Sequence, residues 1–107
     1  MSWYDRNRHL YPANWPEIAR RVKEAAGWKC EACGNPHGPP PYVLTVDHCV
    51  DPTPSNVTPE NLASYCQRCH LRRQGMRPLP KTKEEATRRL RERYEREQSQ
   101  LALELTT

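Results

Sequence analysis

The sequence contains no phenylalanine, and it has no apolar run of the length that a membrane span or a secretory leader requires. The first absence, with 11 prolines and only 36% hydrophobic residues in 107, leaves little apolar surface for a large packed core. A metal staple is therefore expected to supply part of what burial does not. The second absence implies an intracellular, cytoplasmic protein with no membrane partner. In a reducing compartment five cysteines read as metal ligands plus one leftover thiol, rather than as disulfides. Charge is only modestly one-sided. Lys and Arg number 17 against 13 acids, a formal +4 that suits a polyanionic partner and equally suits simple solubility.

Residues 1–13 read as an irregular polar and aromatic lead with Trp3, Tyr4 and Tyr11. A helix should follow, with Asn14 as its cap, Glu17 in capping-box register, Pro16 in the first turn and Gly27 as the stop. Its apolar face is Ile18, Val22 and Ala25 or Ala26. Tyr42–His48 reads as a strand through its β-branched content, between a Pro- and Gly-rich loop and a polar loop from Cys49 to Thr58. Thr58–Leu62 resembles the capped start of a short helix. Leu71–Gly75 should continue helically until Pro78 and Pro80 interrupt it. A long tail helix then opens at Thr82 and Glu85, with Ala86, Leu90, Tyr94, Leu101 and Leu105 as its stripe and balanced charges on its solvated face. The organisation expected is a lead (1–13), a central domain (14–77), and a linker with a charged helix (78–107). Removing the residues after Lys81 should then leave the central domain intact.

The most specific signal is the pair Cys30-x2-Cys33 and Cys66-x2-Cys69. A two-residue gap lets both thiolates of a pair turn toward one ion, and two such pairs complete a closed tetrahedral zinc site. Gly34 relieves the tight backbone after the first pair. Cys49, the odd one out, is expected to fill an apolar strand position. Four protein ligands leave no open position for water, so any chemistry must come from the polar residues nearby. These are Asp47-His48 at the strand end, Asn61, and His70 beside the last cysteine.

Taken in order, Cys30-x2-Cys33, Leu44-Thr-Val-Asp47-His48, Pro59-Glu-Asn61-Leu62 and Cys66-x2-Cys69-His70 resemble the HNH endonuclease family, in its small zinc-knuckle branch of phage and bacterial proteins. The resemblance runs from about Tyr11 to Arg73, and the Tyr11–Trp15 segment leading into the first helix is similar too. It implies an α+β fold: a small ββα-metal (His-Me finger) domain on a four-cysteine structural zinc site, flanked by an N-terminal helix and a long C-terminal helix. It makes His48 the general base, Asp47 and His70 the ligands of one catalytic Mg²⁺ or Mn²⁺, and Asn61 the residue that pins the loop facing the base. It implies hydrolysis of DNA phosphodiester bonds to 5′-phosphate and 3′-hydroxyl ends. The chain departs from the family's usual pattern in having Cys49 after the first histidine and a Gly-free loop after it.

The chemistry of the residue types agrees, because an imidazole titrates near neutrality and a carboxylate with an imidazole leaves most of a metal's positions open. Arg68, Arg72, Arg73 and Arg77, with Arg20 and Arg21, are candidate phosphate contacts, although exposed arginines need no function. Duller readings exist for the rest: an Asp-His pair at a strand end, an Asn at a helix start, a His beside a cysteine as a zinc ligand. The alternative for the whole chain is a non-catalytic zinc-knuckle module that binds nucleic acid or docks a partner. The stripe on the tail helix can fold back on the core, or offer a surface for a protein partner or self-association.

Overall fold

A computed structural model describes residues 3–106; Met1, Ser2, Thr107 and the side chains of Trp3 and Tyr4 lie outside the described residues. Six regular elements follow one another: α1 (Trp3–Asn7), α2 (Trp15–Ala25), β1 (Leu44–His48), β2 (Leu62–Cys66), α3 (Gln67–Gln74) and α4 (Lys83–Thr106). The lead is thus a short helix running into a 3-10 turn at Arg8–Leu10, not the irregular segment that its composition suggests. No helix among the described residues is long and apolar enough to cross a membrane.

Helix α2 stops as its sequence requires. Gly27 adopts φ 66°, its N–H donates to the Glu24 carbonyl, and the Trp28 N–H reaches back to Lys23. Those two bonds satisfy carbonyls that the helix end would otherwise orphan. The start differs from expectation. Asn14 sits at the cap position without a side-chain hydrogen bond, and Glu17 pairs with Arg21 one turn on. At α4 the sequence signal is realised. The Thr82 hydroxyl accepts the Glu85 N–H at 3.0 Å, and the Glu85 carboxylate takes the Lys81 N–H at 2.9 Å.

The sheet has two antiparallel strands, with Leu44 opposite Cys66 and His48 opposite Leu62. All five residues of β2 are buried. That explains why Leu-Ala-Ser-Tyr-Cys carries no strand alternation: both faces are covered, so nothing polar is selected for either. Its outer edge is closed by Glu31, whose main-chain N–H donates to Ser64 and whose carboxylate accepts the Ser64 N–H at 2.6 Å. Pro59–Asn61 forms a 3-10 turn into β2, and α3 follows directly on β2's last residue, so the chain runs strand, strand, helix in one continuous unit.

The tail is not an appendage. Ala86 and Leu90 of α4 lie in the same buried cluster as Leu44, Tyr65 and the cysteines, and the Tyr65 hydroxyl meets Thr87 at 2.8 Å. The expected break at residue 78 is therefore no break in packing. Only the far end of the stripe, Leu101 and Leu105, stays exposed. Glu97 adds a polar lock. Arg68 and Arg72 of α3 and Arg93 of α4 all donate to its carboxylate, and Arg68 also stacks over Tyr94. These donors, Arg72 foremost, hold the Glu97 carboxyl down to about 2.

Truncation after Lys81 is accordingly expected to destabilise the whole domain, and Leu90→Ala alone to cost about 2–5 kcal/mol in denaturant unfolding. The Glu97 lock has a definite pH sign. A carboxyl whose folded pKa lies below its unfolded one contributes stability that is complete above the ordinary carboxylate range and is lost as pH falls toward about 2. The melting temperatures of the native chain and Glu97→Gln should therefore differ at pH 7, and the difference should shrink as pH is lowered through the carboxylate range for as long as zinc stays bound, as thermal scans with metal analysis would show.

Candidate functional site

The two cysteine pairs meet. The Sγ atoms of Cys30, Cys33, Cys66 and Cys69 all lie within 4.8 Å of one another, with Cys33 and Cys66 3.8 Å apart. Sulfurs bound tetrahedrally to zinc at about 2.3 Å stand about 3.8 Å apart, so the cluster fits such an ion. The turns are those of a metal knuckle. Main-chain N–H groups of Cys33 and Cys69 point to the sulfurs of Cys30 and Cys66 at 3.5 Å, Gly34 takes φ 80°, and Asn35 Nδ2 donates to Cys33 Sγ at 3.2 Å. Hydrogen bonds from Cys66 and Cys69 lower the Cys30 thiol far below its ordinary range, the direction that a metal-binding thiolate needs. Cys49 stands apart from this cluster, fully buried, its thiol raised to about 11 by desolvation.

Cys66 also caps α3, and that fixes where His70 falls. One residue beyond Cys69, His70 faces β1 and brings its Nδ1 to 3.2 Å from Oδ1 of Asp47. The two atoms meet in distance but not in angle, so no hydrogen bond forms and Nδ1 is buried without a partner. A buried ring nitrogen and a carboxylate oxygen converging without a well-aligned hydrogen bond have the spacing of two neighbouring ligands of one cation. For metal–ligand distances near 2.1 Å, adjacent octahedral ligands lie about 3 Å apart. The pair fits a divalent ion, and two ligands leave such a site open.

Asp47 is 3% exposed and is held on its other side by Arg73, Nε to Oδ2 at 2.6 Å. Burial raises its pKa, but His70 and Arg73 beside it outweigh that and keep the carboxyl below its usual range. His48, next along β1, is packed against the rings of Trp15 at 5.3 Å and Tyr11 at 5.8 Å. Its Nε2 lies 3.2 Å from the Pro54 carbonyl. A carbonyl only accepts, so Nε2 carries the proton and Nδ1 is the basic nitrogen. Desolvation lowers the His48 pKa, which keeps the ring neutral and able to take a proton at pH 7.

Asn61 commits all four of its hydrogen-bonding positions to the loop between the strands. Oδ1 accepts from the N–H groups of Val50 and Asp51, and Nδ2 donates to the carbonyls of Asp51 and Asn56. Asp51 folds the same loop by accepting from Asn56 and Thr53, which hold its carboxyl at about 2. The loop thus delivers Pro54 to His48, and a Gly-free sequence suffices because an asparagine supplies the constraint.

Tyr11, Asp47, His48, His70, Arg73 and Gln74 line one cleft of about 480 Å³. A larger depression of about 690 Å³ beside α4 is lined by the Glu31–Lys83 ion pair and exposed chains such as Arg88, and offers no buried titratable group with an unmet atom. Only the smaller cleft brings such groups together. The six arginines singled out from the sequence are spread more widely. Arg20 and Arg21 pair with Glu24 and Glu17 on α2, Arg68 and Arg72 with Glu97, Arg73 with Asp47, and Arg77 donates to main-chain carbonyls of Gln74 and Met76. Trp15, Pro54, Asn35 and Glu97 were not singled out as site residues. The i+3 spacing of Arg73 from His70 puts both on one face of α3, but nothing local marks Asp47 as the partner of that face.

No protein-family model matches the chain, and no curated protein or solved structure matches it significantly.

The sulfur cluster and the leftover thiol separate in a simple experiment. Cys66→Ser should lose bound zinc and the folded domain together, because binding free energy at such a site is folding free energy, whereas Cys49→Ser should keep both. Metal content and circular dichroism of the two variants check this, and equal damage from both would contradict the assignment.

Proposed function

We propose that this chain is a metal-dependent endonuclease of the HNH, ββα-metal type that hydrolyses phosphodiester bonds in DNA, on a domain held together by structural zinc. The observation that carries the reading is the cleft in which Asp47 Oδ1 and the unpartnered His70 Nδ1 converge beside a neutral, fixed His48. The strand–strand–helix order that supports these three side chains, and the loop pinned by Asn61, agree with it.

Asp47 and His70 would hold one Mg²⁺ or Mn²⁺, and when bound the ion stabilises the charge that accumulates on the phosphate and the departing oxygen. The remaining work falls to the protein. His48 Nδ1 takes a proton from water as the water oxygen attacks phosphorus in line. The bond from phosphorus to the 3′ oxygen breaks, leaving a 5′-phosphate and a 3′-hydroxyl that takes its proton from solvent. Trp15, Tyr11 and the Pro54 carbonyl keep the imidazole in one orientation and one tautomer, so none of its freedom need be lost in the transition state. Beyond the C-terminal end of α3, a groove of about 330 Å³ is lined by five arginines and Glu92; Arg72 and Arg93 are paired with Glu97 there, which leaves Arg77 and Arg96 as the cations that support a polyanionic substrate. Carbonyls fix the Arg77 guanidinium without cancelling its charge.

A zinc-knuckle binding module without chemistry would account for the sulfurs and the arginines. It gives no reason for a buried imidazole nitrogen left unpaired against a carboxylate. Cleavage of supercoiled plasmid with and without EDTA, at constant zinc content, distinguishes the two. His48→Ala should keep fold, zinc and DNA binding yet lose cleavage by roughly 100-fold or more. Asp47→Ala and His70→Ala should instead recover part of their activity as Mg²⁺ or Mn²⁺ is raised, since mass action refills a weakened site but does not replace a base. Wild-type cleavage by His48→Ala would end this mechanism.

A further inference from the structure

Arg73 is far from a free surface cation. Its side chain is 13% exposed, its Nε donates to Asp47 Oδ2 at 2.6 Å, and its terminal nitrogen approaches Oδ1 at only 3.3 Å. The two carboxylate oxygens are therefore divided. Oδ2 takes the short bond from the guanidinium, while Oδ1 takes only the longer one and is also the oxygen that lies 3.2 Å from His70 Nδ1. A carboxylate that is to serve an ion through one oxygen is free to swing about its terminal torsion unless the other oxygen is tied. Because Arg73 and His70 sit three residues apart on α3, one helix face brings both the second ligand and the tie to the same β1 carboxylate.

We propose that Arg73 is a positioning residue for the catalytic cation: it clamps Oδ2 of Asp47 so that Oδ1 stays aimed at the position that His70 Nδ1 shares. This rests on the reading of the cleft as a nuclease metal site. It takes Arg73 out of the set of phosphate contacts, because releasing the guanidinium to a substrate would leave Asp47 buried and without its tie. It also fixes the sign of the effect. A guanidinium that merely filled the ion's place would compete with the ion, and removing it would tighten metal binding; a clamp that is removed loosens it.

The test is titration of Mn²⁺ into zinc-loaded protein without DNA, with free Mn²⁺ read by electron paramagnetic resonance, for the native chain, Arg73→Ala, Arg73→Gln and His70→Ala. Arg73→Ala should bind Mn²⁺ roughly 10–100-fold more weakly at unchanged zinc content, the range found when partners of metal ligands are removed. Arg73→Gln, which keeps a donor without the charge, should fall between it and the native chain. Plasmid cleavage by Arg73→Ala should rise toward the native rate as Mn²⁺ is raised. Mn²⁺ binding by Arg73→Ala as tight as native, or tighter, overturns the clamp. Should the alanine variant fail to fold, the glutamine variant decides by the same criterion. If the native chain shows no Mn²⁺ site that His70→Ala abolishes, the metal-site reading itself fails, and the clamp falls with it.

Discussion

The structure depends on the meeting of four sulfurs. Cys30 and Cys33 lie in a tight turn after α2, Cys66 ends β2 and Cys69 sits in the first turn of α3, so their convergence ties together parts of the chain more than thirty residues apart. In a domain with no phenylalanine, whose largest fully buried side chains are Tyr65 and Leu90, this crossing of thiols does what a larger apolar core does elsewhere. It also sets a phase. Because the Cys66 sulfur accepts the Cys69 N–H and caps α3, the helix can begin in only one register, and that register turns His70 and Arg73 together toward β1.

The cleft on that frame is polar, and among the described residues His70 Nδ1 is the one fully buried side-chain nitrogen or oxygen without a hydrogen bond. Every hydrogen-bonding position of Asn61 is used, Asp47 is held by Arg73, and His48 is tied at Nε2. Against that background, His70 Nδ1, close to Asp47 Oδ1 without a well-aligned hydrogen bond, is the atom on which the proposed metal site rests. The surrounding charges follow the same logic. Most arginines of α3 and α4 are engaged by Glu97, Asp47 or main-chain carbonyls, so the formal excess of positive charge describes the surface less well than the few guanidinium groups no carboxylate cancels.

Much of the candidate site was legible in the sequence because its signals are local. A C-x2-C spacing, an Asp-His pair at a strand end and an Asn ahead of a buried strand each keep their meaning within a few residues, and the structure brings Asp47, His48 and His70 into one cleft with Asn61 holding its loop. Gly27 stopped its helix and Thr82 capped another for equally local reasons. Other features were not local. Strand β2 has no alternation to reveal it, since both its faces are covered, and Asn14 looks like a cap but makes no capping bond. The stripe of Ala86, Leu90 and Tyr94 marks an apolar face on α4, but not what covers it, because its partner surface comes from elsewhere in the chain.

What the sequence alone determined is which side chains able to bind a metal or exchange a proton are present and at what spacing, since that depends on side-chain type and short-range geometry. What only the tertiary structure decided is partnership. Asp47 and Arg73 are 26 residues apart, and Arg72 and Glu97 are 25. Nothing in an arginine's immediate neighbours distinguishes a guanidinium that will meet a phosphate from one that will be buried on a carboxylate. The reason is physical: a charge's role is set by what is packed against it and by the water it loses, and both are properties of the folded chain.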